Sequence, residues 1–216
     1  HSVLVEANPD LLADLRKARP NARLVHAAIC ADDSPSVTLH CANHHELSSL
    51  DRQFVETWHE GQVGIARDVQ VPAMRMASLL ANYVPVDKQV LFLSIDIEGL
   101  DLTLIEDTDF SRFRPTMVML EPSEHFHPGE GARMIQAMLA RGYCQFGESD
   151  VNLLFVDATI LARLTAPALS NLEAAAMPDM NKRYPATSVP LPLPALSADI
   201  QGPTLNSSVH NPLREW

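Results

Sequence analysis

The chain has 216 residues, room for one domain with a proper core or a domain plus a tail, and its 46% apolar and 20% charged residues are ordinary for a globular protein. Its 16 basic against 27 acidic residues give a formal charge of −11, which excludes a nucleic-acid backbone or an anionic membrane as main partner, since both need a positive surface. Cys30, Cys41 and Cys144 are sparse and never form CxxC, so free thiols in a reducing, cytoplasmic setting are expected rather than disulfides or structural zinc.

Residues 2–6 (SVLVE) read as a short buried strand. The chain begins with His1 inside it, so its true N-terminus is expected upstream. Asn8 suits a helix N-cap and Pro9 a first helical position. Leu11, Leu12 and Leu15 share a helical face, and that helix should stop before Pro20. Residues 22–29 (ARLVHAAI) read as a second strand, completing a β-α-β unit that favours a parallel sheet.

Residues 36–42 alternate like a strand with one wet face. Residues 44–66 read as polar and irregular, 69–71 as a short strand and 77–83 as a short helix. The strongest strand is 89–96 (QVLFLSID), nearly continuous in apolar residues, as a central strand buried on both faces should be. A helix over 100–106 and a buried strand over 116–121 (TMVMLE) follow. An amphipathic helix over 131–141 closes on Gly142, a natural C-cap. Residues 143–147 and 151–157 pair most simply as a hairpin across Glu148-Ser149-Asp150. The reading is therefore α/β: a mostly parallel sheet over residues 1–160, ending in an antiparallel hairpin. Residues 161–216 form a proline-rich tail, with eight of the 16 prolines from Pro167 onward and one helix expected over 170–176.

In open α/β sheets ligands bind beyond the carboxyl ends of the parallel strands. Those ends carry Glu6, Ala28, Asp96 and Glu121. Glu6 closes an apolar strand, and its two oxygens match the cis-diol of an adenosine ribose; a helix-capping acid is the plainer reading. Asp96-Ile97-Glu98-Gly99 follows the strongest strand. Alternation turns Asp96 and Glu98 to one side, and Gly99 permits a sharp turn. Such a pair could hold an acceptor hydroxyl, orient a bound cofactor or take a divalent ion, or merely cap the next helix. Glu121-Pro122-Ser123-Glu124-His125 supplies a candidate general base in His125. His44-His45 and His125-Phe126-His127 lack the spacing of a metal site, and none is expected. Ser48-Ser49-Leu50-Asp51 reads either as a lid over a cofactor or as a polar loop with an Asp cap.

VEANP at 5–9, NARLVHAAIC, SSLD, SIDIEGLDLTLI at 94–105, FRPTMVMLE and the later RGY turn follow in the order seen in FkbM-type methyltransferases. The resemblance covers roughly residues 2–157, and DIEG followed by LDL, then RP before a strand ending in Glu, is its most specific part. It implies a Rossmann-like class I methyltransferase sheet, which ends in a reversed hairpin where ordinary nucleotide-binding Rossmann folds end parallel. It also implies S-adenosyl-L-methionine as cofactor and a hydroxyl of a sugar, other glycan or secondary metabolite as acceptor. By position, Glu6 with Ala7 would hold the ribose, the backbone around Ala28 would meet adenine, and Asp96 would face the methyl-transfer site. The family opens with a further strand and a glycine-bearing loop. Nothing here supplies them, so the domain is expected to be incomplete at its start.

The reaction implied is in-line attack of an acceptor oxygen on an activated methyl group. Alignment of the reactants would supply up to about 7–11 kcal/mol, and a base among Asp96, Glu121 and His125 about 10²–10⁴-fold. Two other classes compete: an NAD- or nucleotide-sugar enzyme, which predicts a parallel final strand, and a non-catalytic binding module with a degenerate fold.

Overall fold

The computed structural model describes residues 1–58, 62–85 and 87–164. The tail beyond residue 164, including the helix expected over 170–176, lies outside them. Among the described residues no helix is long and apolar enough to cross a membrane.

The opening β-α-β unit forms as its periodicity predicts. Strands β1 (Val3–Glu6) and β2 (Arg23–His26) run parallel, with Glu6 opposite His26. Helix α1 (Leu12–Ala18) joins them, and its N-cap is Leu11, not Asn8. Asn8 is only 1% exposed and accepts the Asp10 N–H at 3.1 Å on its own side chain. That local bond holds a turn in place of the first helical turn. The expected strand over 22–29 also breaks at Ala27. Its last residues form β3 (Ala28–Ile29), which leaves β1 to pair with a later strand, β5 (Ile65–Met74).

Strand β4 (Ser36–Ala42) pairs antiparallel with β5 (Ile65–Met74), Thr38 opposite Gln70 and His40 opposite Asp68. β5 is far longer than residues 69–71 because the whole of β4 needs hydrogen-bond partners along that edge. The stretch between them, expected to be irregular, holds a 3₁₀ turn (His45–Leu47) and helix α2 (Arg52–Thr57). Asp51 caps α2, accepting the Gln53 and Phe54 N–H groups at 2.8 and 3.3 Å. The helix then sinks Phe54 and Val55 completely.

After α3 (Met76–Tyr83) come β6 (Phe92–Ile95), α4 (Asp101–Asp107), β7 (Met117–Leu120), α5 (Glu130–Ala140), β8 (Tyr143–Glu148) and β9 (Leu153–Asp157). They assemble in the order β6-β7-β9-β8, with β6 and β7 parallel and the last two strands antiparallel. The terminal hairpin is thus as expected, and Gly142 at φ 77 closes α5 as predicted. Arg114 fastens the hairpin to the end of α5: it donates to Asp157 and to the carbonyls of Arg141 and Gly142.

Two further expectations fail. Among the described residues the strands form three sheets, β1-β2, β3-β5-β4 and β6-β7-β9-β8, with as many antiparallel as parallel pairings, rather than one mostly parallel sheet. β6 is not buried on both faces: Phe92 is 51% and the preceding Leu91 70% exposed. The reason is pairing, since among the described residues β6 bonds only to β7 and β1 only to β2. The core nevertheless joins these sheets. Val25 and Ala27 cluster with Ile95, Val118, Leu120, Phe155 and the helix residues Ile105, Met134 and Met138, while Val3 and Val5 pack against them.

Candidate active site

Parallel pairing of β6 and β7 sets Ile95 opposite Leu120, so Asp96 and Glu121 leave the sheet side by side. The expected alternation from Asp96 to Glu98 does not continue past the strand. Glu98 takes a left-handed φ of 54°, and Gly99 follows at 94°. Such a conformation at a non-glycine residue costs about 1–3 kcal/mol and persists only where its surroundings hold it. Here Asp101, 1% exposed, accepts the Ile97 N–H at 3.0 Å and the Glu121 N–H at 3.4 Å, tying the two strand ends together. The Ser49 hydroxyl donates to the Glu98 carbonyl at 2.6 Å, which brings the SSLD segment against this turn. Gly99 is required twice over: its φ is positive, and a Cβ there would lie 2.7 Å from the Phe54 ring.

The turn gathers acids. Burial, then the charges of Asp96, Glu121, Asp101 and Glu46, push the Glu98 carboxyl up to about 8. Burial pushes Asp101 up to about 7 against the pull of its two N–H donors. Asp96 is raised by burial, and Glu121 by burial and then Asp96. Sequence reasoning named Asp96, Glu98 and Glu121 but missed Asp101, although the DIEGLD run placed an acid in the first helical turn.

A cleft of about 530 Å³ opens beside this turn, lined by Glu98, Glu121, His125, Trp58, Glu124 and Ile135 among others. Trp58 and His125 meet edge to face with ring centroids 3.9 Å apart, and Phe54 packs on both. Trp58 was not singled out from the sequence, since a lone aromatic in an irregular stretch carries no periodic signal. Glu124 is already committed, accepting the Gly129 and Gly131 N–H groups at 2.7 Å each. Among the described residues no group of three or more His, Cys, Asp or Glu is placed to hold a metal ion.

Glu6, Ala7 and Ala28 form a separate neighbourhood at the ends of β1 and β3. The Glu6 carboxylate accepts the Asn8 N–H at 2.6 Å, and burial raises its pKa. His26 Nε2 lies 3.1 Å from the Ala7 carbonyl, and Ala28 is buried. Neither these residues nor Asp96 line the acidic cleft. The Nδ2 of Asn8 is buried with no hydrogen-bond partner among the described residues. A second cavity, of about 480 Å³, lies between the β4–β5 hairpin and residues 97–104.

No curated protein and no solved structure matches the chain. The methyltransferase FkbM domain matches residues 1–144, two-thirds of the sequence, and that span takes in β1, the DIEG turn, β7 and α5. The chain belongs to the FkbM methyltransferase domain family.

Proposed function

We propose that this chain transfers a methyl group from S-adenosyl-L-methionine to a hydroxyl of a small-molecule or glycan acceptor held in the cleft beside Glu98 and Glu121. The observation that carries this reading is the meeting of Glu98, on the turn after β6, and Glu121, at the end of β7, in one aromatic-walled cleft, with Glu98 raised to about 8. The antiparallel β8–β9 pair favours a Rossmann-like methyltransferase sheet over a nicotinamide-type fold with a parallel final strand.

The residues at the end of β1 fit the ribose end of the cofactor. Glu6 takes backbone N–H groups of Asn8 and Ala7, and its carboxylate has further lone pairs for a ribose hydroxyl. The unpartnered Nδ2 of Asn8, on the same turn, is a buried donor that an acceptor atom would satisfy. Bound S-adenosyl-L-methionine supplies a methyl group already activated on a sulfonium. The protein's own work is then alignment, exclusion of water and custody of one proton. Glu98, with a carboxyl near 8, is the acid best matched to accept a hydroxyl proton around neutral pH. Glu121 and His125 line the same cleft and orient the acceptor, while Trp58 and Phe54 wall off solvent. Asp101 positions the turn.

Isothermal titration of the full-length protein with S-adenosylhomocysteine tests the proposal. One-to-one binding, weakened at least about tenfold by Glu6→Ala, is expected. No heat of binding to the folded protein ends this reading.

A further inference from the structure

The cleft beside the DIEG turn carries charge of one sign. Glu98, Glu121, Glu124, Glu148 and Asp150 line it, and among the described lining residues there is no Lys or Arg. Two of these acids are already engaged. Glu124 accepts the Gly129 and Gly131 N–H groups at 2.7 Å each, and Glu148 accepts from Gln145 Nε2 at 3.3 Å. The carboxyl oxygens of Glu98 and Glu121 accept no hydrogen bond from any described residue. Burial disfavours their charged forms, and neighbouring acids add to it: Asp96, Glu121, Asp101 and Glu46 around Glu98, and Asp96 beside Glu121. A positive charge in the cleft relieves that crowding, and a further negative one worsens it.

Ser123 gives an independent sign of a ligand. Only 5% exposed, it lines the same cleft two residues after Glu121. Its backbone is fully engaged: the N–H donates to Glu130 at 2.6 Å, and the carbonyl accepts the Phe126 and His127 N–H groups at 2.9 and 2.7 Å. Its hydroxyl has no hydrogen-bond partner among the described residues. Buried polar groups are nearly always paired, so a fixed and unpaired hydroxyl lining a cavity is a ready partner for a ligand's polar hydrogen. Trp58, an aromatic ring whose faces attract cations, stands in the same lining. At about 530 Å³ the cleft has room for one small molecule.

We propose that the acceptor of this cleft is a cationic hydroxyl compound of the amino-sugar class, with Glu121 and Ser123 holding its ammonium group. The proposal rests on the methyltransferase reading above and adds to it the charge of the substrate. An ammonium has three donors, which the Glu121 carboxylate and the Ser123 hydroxyl can accept together. Glu98 is left for the hydroxyl. The acceptor oxygen bonds to the methyl carbon as the carbon–sulfur bond breaks, S-adenosylhomocysteine leaves, and the hydroxyl proton passes to Glu98. Glu98 and Glu121 line one small cleft, so ammonium and hydroxyl must sit close together on one framework, as they do on an aminopyranose ring. Acceptors bearing phosphate or carboxylate are refused, since no Lys or Arg among the described lining residues meets them.

The full chain is first titrated with S-adenosylhomocysteine and then, with it bound, with glucosamine, glucose and glucuronate at pH 7. The three share one ring and differ in charge. Glucosamine is expected to bind at least about tenfold more tightly than glucose, with glucuronate the weakest. The preference should shrink as salt is raised. Glu121→Gln should erase most of it, and Ser123→Ala should weaken glucosamine about threefold to tenfold, neither lowering the melting temperature. The formal charge of −11 attracts any cation, but that general attraction survives the loss of one carboxylate and a seat on Glu121 does not. The wild-type series needs no variant, so a misfolded substitution leaves it readable. Glucosamine binding no tighter than glucose, or a preference untouched by Glu121→Gln, overturns the amino-sugar assignment; S-adenosylhomocysteine binding then leaves the methyltransferase reading standing. If S-adenosylhomocysteine itself does not bind, both readings fall.

Discussion

Glu98→Gln isolates the charge that the turn after β6 suppresses. In the folded protein the Glu98 carboxyl stands near 8 against an ordinary 4.5, burial being the larger cause and Asp96, Glu121, Asp101 and Glu46 adding to it. Between these two values the folded state keeps a proton that the unfolded chain has released. The stabilising difference is therefore fully present below 4.5 and is lost as pH rises through about 8. At about 1.4 kcal/mol per pH unit, the full rise sets an upper bound of about 5 kcal/mol. Solvent reaches part of this side chain and screens it, which reduces the expected cost of the charged form to about 1–2 kcal/mol. The amide keeps the shape and cannot ionise. Chemical denaturation followed by far-UV circular dichroism at pH 5, 7 and 9 should thus give matched stabilities at pH 5. At pH 9 the variant should lead by about 1–2 kcal/mol, or about 3–6 °C in melting temperature. A wild-type-to-variant difference that stays flat from pH 5 to 9 refutes the argument that the acids crowd one another.

With Glu98 as the base proposed above, methyl transfer measured against pH should rise to a plateau above about 8, and Glu98→Gln should lose about 10²–10⁴-fold in kcat with that rise abolished. Gly99→Ala should lose about 2–3 kcal/mol of stability in urea titrations, because a methyl group at φ 94 meets the Phe54 ring at 2.7 Å; wild-type stability would show that the turn relaxes freely. Asp101→Asn keeps one acceptor oxygen but faces an amide donor toward either the Ile97 or the Glu121 N–H, which bond to different carboxylate oxygens. It should cost about 1–3 kcal/mol and lower kcat while leaving S-adenosylhomocysteine affinity within about threefold, and an unchanged kcat would remove Asp101 from its positioning role.

Local patterns carried far in this chain. The spacing of Leu11, Leu12 and Leu15, the apolar runs ending at Glu6, Asp96 and Glu121, the Gly142 stop and the final hairpin were all legible, since each depends on periodicity or backbone freedom within a few residues. So was the grouping of Asp96 with Glu121, because parallel neighbours deliver their ends to one rim. What the sequence hid were interactions between distant segments. Asn8 lost its cap role to a local turn, and β5 lengthened to satisfy β4. The most apolar strand stayed at an edge, because pairing and not composition decides which strand is central. Asp101 gained its place only when β6 and β7 brought two N–H groups to it from opposite directions. The Thr38–Gln70 pair, 32 residues apart, exists only through strand register. Side-chain identity is written in the chain, but convergence is a property of long-range hydrogen bonding and packing, which no short window of sequence contains.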